Sequence, residues 1–238
     1  MDTRDATRIG DPHALARELR PQEFGRIKPG SIEEPLVEPA WLGPRVIAAV
    51  GDDRATLWWD GEAFDERPEV TAALARAVGR SVDEGAILEG YLTKQKTTEG
   101  IGADIGVSQV TPTNAITKMF IGGRRDRAAE FEEQRAAERE ALTFEPDDIV
   151  DIVVVDLLWL DGQWLLDVPL LERKRVLESI VPSEQLVRPG PYVREPLGSW
   201  IGSWRAQGFR GMTFKAANSR YRPGETASDW TLADLPRR

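Results

Sequence analysis

Val155-Asp156-Leu157-Leu158-Trp159-Leu160-Asp161-Gly162-Gln163-Trp164-Leu165-Leu166-Asp167-Val168-Pro169-Leu170-Leu171-Glu172-Arg173-Lys174 carries three structural signals in direct succession. Its first part continues a β-branched run that begins at Ile149. A run this apolar at both alternating positions predicts a strand inside a sheet, not at its edge. Asp161-Gly162 predicts the tight turn of a hairpin, with Gln163 to Leu166 as the returning strand. Pro169 then suits the first turn of a helix, where its missing N–H costs little, so a helix is predicted over Leu170 to Ile180.

The same reasoning extends outward in both directions. Val46 to Val50 and Ala55 to Trp59 are apolar segments separated by Gly51-Asp52-Asp53, which predicts a second hairpin. After the turn Asp60-Gly61, Pro68 opens a predicted helix over Glu69 to Val78, and Ala86 to Thr93 reads as a strand. Leu186 to Val193 and Phe209 to Lys215 are predicted strands, with a helix over Leu197 to Gln207 between them. Hairpins mixed with helices, without regular βαβ alternation, predict an α+β domain of mainly antiparallel sheets flanked by helices and argue against a Rossmann domain. Residues 1–35, punctuated by Pro12, Pro21, Pro29 and Pro35, read as a polar arm with one short helix near Pro12 to Leu19. An insertion at about 94–147 carries no nameable motif, and its charged, alanine-rich part from Arg124 to Leu142 predicts a mostly exposed helix.

Composition excludes several function classes. The 238 residues are 41% hydrophobic, enough for a real core, and contain no cysteine, so neither disulfides nor thiolate metal sites are available. The single histidine, His13, removes the usual Ser-His-Asp hydrolysis and multi-histidine zinc sites; its polar neighbours predict a solvated arm residue. No apolar run reaches the ~20 residues of a membrane span, and Met1-Asp2-Thr3-Arg4-Asp5 lacks the order of a signal peptide, so a soluble cytoplasmic protein without membrane contact is expected. A net charge of −9 predicts weak or no nucleic-acid binding by the chain alone.

Glu38-Pro39-Ala40-Trp41-Leu42-Gly43-Pro44-Arg45, followed by the strand Val46 to Val50, resembles the nucleophile motif of ATP-dependent DNA ligases. That motif runs Glu-Pro-Lys-Trp-Asp-Gly-x-Arg, and its lysine attacks the α-phosphate of ATP. The stretch from Val155 to Lys174 resembles the family's motif IIIa and the helix after it. Gly208-Phe209-Arg210-Gly211-Met212-Thr213-Phe214-Lys215 resembles motif IV, normally Glu-Gly-x-x-x-Lys, and Ser219-Arg220-Tyr221-Arg222-Pro223-Gly224 resembles the Ser-Pro-Tyr-x-Pro-Gly stretch that follows. Asp229-Trp230 stands at the start of motif V. The segments occur in the family's order, which implies a ligase-type adenylation (nucleotidyltransferase) domain over residues 36–238. The chain reaches Arg238 directly after motif V, so no C-terminal oligonucleotide-binding-fold domain is expected.

Set against the family pattern, the chemistry is stripped. Ala40 stands at the lysine position, so no catalytic residue is assigned, and Leu42 stands at the aspartate position. The Leu-Asp-Gly-Glu of motif III falls on Leu88-Glu89-Gly90-Tyr91, which puts Tyr91 in place of the ribose- and metal-contacting glutamate. Arg210 replaces the metal-directed glutamate of motif IV and reverses the charge there, so no metal site and no required cofactor are expected, with ATP or Mg²⁺ at most an optional ligand. Val155 takes the adenine-stacking position, and Trp230-Thr231-Leu232-Ala233-Asp234 lacks the phosphate-gripping lysines of motif V. The resemblance marks Glu38, Arg45, Glu89 and Lys215 as a vestigial nucleotide cleft. Lys215 reads either as a phosphate-directed lysine or as a strand-end lysine snorkelling to solvent, and Arg45 either as an anion contact or as the partner of a carboxylate. Trp41 and Trp230 read as core packing. The expected function is that of a degenerate ligase-like domain, unable to self-adenylate, with an interaction or regulatory role linked to DNA repair and an unidentified protein partner. Two alternatives are a noncovalent nucleotide or anion module using Arg45, Lys215 and Arg210, and an active nucleotidyltransferase with Lys215 as a rewired nucleophile.

Overall fold

A computed structural model describes residues 10–96 and 148–236. The helix expected over Arg124 to Leu142 and most of the 94–147 insertion lie outside the described residues. The elements are α1 (Pro12–Glu18), β1 (Glu23–Gly25), β2 (Pro35–Pro39), β3 (Arg45–Gly51), β4 (Arg54–Trp59), β5 (Glu62–Ala63), α2 (Pro68–Gly79) and β6 (Ala86–Thr93). After the insertion follow β7 (Asp151–Leu160), β8 (Gln163–Trp164), α3 (Leu170–Ile180), β9 (Val187–Pro189), α4 (Gly198–Ala206), β10 (Gly211–Ala216) and β11 (Thr226–Asp234). Two sheets result: β5-β4-β3-β6-β7-β8, with β9 joined to β7, and β1-β11-β10-β2. Among these pairings only β1–β11 and β7–β9 are parallel, so the architecture is the predicted α+β one.

The turn residues explain the hairpins. Asp52 and Asp53 have φ of 52° and 57°, and Asp161 and Gly162 have φ of 43° and 86°. Positive φ at both central positions is what a two-residue turn matching strand twist requires, and Asp and Gly are the residues that tolerate it. β7 is buried at every position but its last, as its β-branched run predicts for a central strand.

Three apolar layers hold the elements together. Below the larger sheet, Val46, Ala48, Leu88 and Val154 pack with Leu74 and Val78 of α2 and Leu177 of α3. Between the sheets, Leu36, Ile47, Ile87, Trp159, Leu170, Tyr221 and Trp230 form a second cluster. On the far side of the smaller sheet, Val37, Met212 and Phe214 pack with Ile201 and Trp204 of α4. Among the described residues, no helix is long and apolar enough to cross a membrane.

The N-terminal segment differs from its expected solvated character. α1 lies where the sequence predicts a short helix, capped by Asp11, whose side chain accepts from the His13 N–H. It is packed against the sheet: Ala16 is fully buried in the intersheet cluster and His13 is only 5% exposed. The His13 ring bridges Thr56 Oγ1 at 2.9 Å and the Gly51 carbonyl at 3.1 Å. Polar neighbours misled the sequence reading because both ring nitrogens find partners on the β3–β4 hairpin, which removes the penalty of burying them. His13→Ala therefore leaves a cavity and strips partners from Thr56 and Gly51; a loss of about 1–3 kcal/mol is expected in urea unfolding.

Candidate functional site between the sheets

Strand register decides which side chains face inward, because residues two apart share a face. The pairings Glu38–Thr213–Leu232 and Leu36–Lys215–Trp230 put these six on one face of the smaller sheet. In the larger sheet, Arg45 pairs with Tyr91, Ile47 with Glu89, and Glu89 with Asp156, with irregular register on either side of Leu88–Glu89. Bulges of this kind re-aim side chains next to sites.

The inward-facing charges pair with one another. Glu38 takes Lys174 Nζ of α3 on Oε1 at 2.6 Å and Lys215 Nζ of β10 on Oε2 at 3.0 Å. All three are buried, Lys174 completely. Arg45 donates to Glu89 Oε1 through Nε at 2.7 Å and lies 2.6 Å from it through Nη2. The Tyr221 hydroxyl donates to the other oxygen of Glu89. Arg173 forms a two-pronged pair with Asp156, both bonds 2.8 Å, and donates to the Val168 carbonyl at 2.6 Å. Lys215 Nζ stands 4.6 Å from the centre of the Trp230 ring, a cation–π contact, and Trp230 Nε1 donates to Ser219 Oγ at 2.7 Å.

Electrostatics follow from burial and these partners. Burial by itself would raise the Glu38 carboxyl, but the charges of Lys174 and Lys215 and their hydrogen bonds outweigh it and hold the group below its ordinary value. Burial likewise opposes ionisation of Asp156, and Arg173 overcomes it. Lys215 goes the other way: burial pushes its ammonium down, Lys174 adds to that, and Glu38 only partly compensates. Burial and the neighbouring Glu89 carboxylate push the Tyr221 phenol well up, so it remains a neutral donor.

All four side chains expected in a vestigial cleft, Glu38, Arg45, Glu89 and Lys215, thus lie in the intersheet space, each bonded within the chain. Arg45 pairs with a carboxylate, one of the two readings open to it. Lys215 does not snorkel; it is 1% exposed. Arg210 is exposed at the head of β10, away from the buried group, while Tyr91 is half-buried with the Arg45 guanidinium 5.9 Å from its ring centre. Trp41 is buried edge-to-face on Phe209, with centres 5.0 Å apart. Lys174, Arg173, Asp156 and Tyr221 join the site although sequence reasoning gave them no role. The adjacency of two cations on an otherwise amphipathic helix, Arg173-Lys174, was the available signal.

At the nucleophile position, Ala40 presents a methyl group, and its N–H donates to the Gly211 carbonyl at 3.0 Å. Beyond it, Leu42 N–H donates to Gln95 Oε1 at 2.7 Å. Gly43 has φ 132°, and a Cβ there would lie 1.8 Å from the Leu92 carbonyl oxygen. That close approach gives the glycine of the motif a purely structural reason to stand there.

Glu38→Gln leaves two buried ammonium groups without a counter-charge and is expected to destabilise the fold by about 3–5 kcal/mol in denaturant unfolding. Because the folded-state pKa of Glu38 is lowered, its contribution is present above the ordinary glutamate value of 4.5 and is lost as pH falls toward the folded value. Stability of the parent should therefore fall more steeply below that pH than stability of the variant.

Comparison with known proteins places this geometry in context. The sequence model of the ATP-dependent DNA ligase domain matches residues 119–231. A probable DNA ligase of Pseudarthrobacter chlorophenolicus is 38% identical over 77 residues, 32% of this chain and 15% of that protein. A DNA ligase of Methanosphaerula palustris is 29% identical over 209 residues, 79% of this chain and 32% of that protein. The chain thus spans about a third or less of the length of these relatives. In structure it superimposes on the ligase domain of LigD from M. tuberculosis with a TM-score of 0.61 at 18% identity, covering 92% of this chain and 60% of that one. The chain has the fold of a ligase-type adenylation (nucleotidyltransferase) domain and resembles ATP-dependent DNA ligases in sequence.

Proposed function

We propose that this domain does not self-adenylate and acts instead through noncovalent interaction, as a regulatory or docking unit for a protein partner in a DNA-repair assembly. The observation that carries this reading is the methyl group of Ala40 where a phosphoramide bond would need an amine. The two lysine amines nearest in the charge group offer no replacement, because Lys174 and Lys215 are both buried and both held on Glu38. A nucleophilic amine must be free and in line with the α-phosphate as well as deprotonated, and a lysine held on a carboxylate inside the fold is not free. The exposed Arg210 adds a positive charge where a divalent cation would require carboxylates. Without nucleophile and metal, the reaction lacks a barrier lowering of at least ~8 kcal/mol.

Incubation of the purified chain with ATP and Mg²⁺, followed by intact-mass measurement, should show no adenylate adduct; a stoichiometric adduct would overturn the proposal. Ala40→Lys should also remain unmodified, since Tyr91 and Arg210 still stand at the metal-directed positions.

A further inference from the structure

The charge group between the sheets is covered on one side by the chain's own N-terminal segment. Gln22, 1% exposed, accepts from Arg45 Nη1 on its carbonyl oxygen at 2.7 Å and donates its N–H to the Tyr221 hydroxyl at 3.1 Å. Its side-chain oxygen accepts from the Arg222 N–H. The Phe24 ring centre is 5.2 Å from the Arg45 guanidinium, 5.8 Å from Lys215 Nζ and 6.1 Å from the Trp230 ring. Residues 22 and 24 therefore occupy one side of both cations that the family resemblance directs at a nucleotide.

The attachment of this segment is local: the Glu23 N–H donates to the Glu225 carbonyl, the Gly224 N–H to the Arg20 carbonyl, and the Thr231 hydroxyl lies within hydrogen-bond reach of the Gly25 and Ile27 carbonyls. β1 is three residues long and pairs with β11 at only Glu23–Thr226 and Gly25–Thr231, with broken register between them. Beneath it the buried group holds four cations, Arg45, Arg173, Lys174 and Lys215, against three carboxylates, Glu38, Glu89 and Asp156. A neutral carbonyl facing Arg45 leaves that surplus in place, whereas an anion in the same position would remove it. Hydrogen bonds from a guanidinium to a charged oxygen are also roughly twice as strong as those to a neutral one.

We propose that Gln22–Phe24 is an autoinhibitory strap, an intramolecular occupant of the cleft that keeps Arg45 and Lys215 from a phosphate-bearing ligand of mononucleotide size. Lifting the strap converts the buried charge group into a noncovalent anion site. This deepens the reading above and rests on the cleft acting without covalent chemistry.

Gly25 supplies the test. A Cβ at this position would lie 2.0 Å from the Ala227 carbonyl oxygen, so Gly25→Val forces β1 off β11. The strap is followed by hydrogen exchange of residues 20–26 and by tryptic cleavage at Arg26, the fold by circular dichroism, and binding by calorimetry with AMP. The expected result is faster exchange and cleavage in a folded variant that binds AMP about 10-fold or more tighter than the parent. A released strap without that gain, or a parent that already binds AMP as tightly, overturns the proposal. If Gly25→Val unfolds the whole domain, Phe24→Ser decides in the same way: tighter AMP binding supports the strap and unchanged binding removes it. Intact-mass measurement after ATP treatment runs alongside, so that covalent adduct formation, which would defeat the non-adenylating reading, is read separately from AMP affinity.

Discussion

Two consecutive residues of α3 tie the two sheets to each other. Arg173 grips Asp156 of β7 in the larger sheet, while Lys174 reaches Glu38 of β2 in the smaller one, where Lys215 of β10 closes the group. All of these atoms are withdrawn from water, so each ion depends on its partners: a buried pair is weak evidence of net stabilisation, but removing one member leaves a charge that nothing solvates. The relative placement of β2, β7, β10 and α3 is thereby over-determined. The apolar cluster around Leu36, Ile47, Leu170 and Trp230 supplies the bulk of the burial, and the ions set its register.

This dependence accounts for which parts of the ligase pattern are present. Glu38, Arg45 and Lys215 match the pattern and each has a charged partner inside the fold. Ala40, Tyr91 and Arg210 depart from it at half-buried or exposed positions, while the buried departures either keep a carboxylate, as Glu89 does, or are apolar, as Val155 is. Exchange of a marginal side chain leaves no buried ion orphaned, whereas loss of one inward-facing ion does. Resemblance to a catalytic family can therefore rest on residues that hold the domain together, and matching side chains alone do not specify the reaction.

What was legible in the sequence follows the same physics. The three Asp-containing turns, the proline-started helices α2 and α3 and the β-branched run of β7 are dictated locally, and the sequence places each of them within a residue or two. β2 was missed because Pro35 and Pro39 bound it and Glu38 lies within it, features that argue locally against a buried strand. β11 was missed because its apolar residues, Ala227, Trp230, Leu232 and Ala233, do not alternate, and Thr, Ser and Asp fill the other positions. The N-terminal segment was misjudged for a different reason: its burial depends on receptors that lie far away in sequence, Thr56 and Gly51 for His13, and Arg45 and Tyr221 for Gln22. The members of the cleft were recognisable from motif positions, but their pairing was not, since Glu38 and Lys215 meet only once β2 and β10 are neighbours.

The imbalance of charge in that cleft also has a physical direction. With four cations to three carboxylates, the group cannot be neutral while all are ionised, and the strain falls on Lys215, whose ammonium burial and Lys174 both disfavour. Arginine is held charged by its high intrinsic basicity, so a lysine is the only cation in the group able to give up its proton. Two routes to balance are then open: loss of the proton from Lys215, or arrival of a negative charge beside it. The first leaves a neutral amine still accepting the van der Waals cover of Trp230 and Phe24; the second requires that cover to move. A cleft that has turned its former ligand-directed groups upon each other is therefore not electrostatically quiet, and the side on which Phe24 rests is the side from which relief can come.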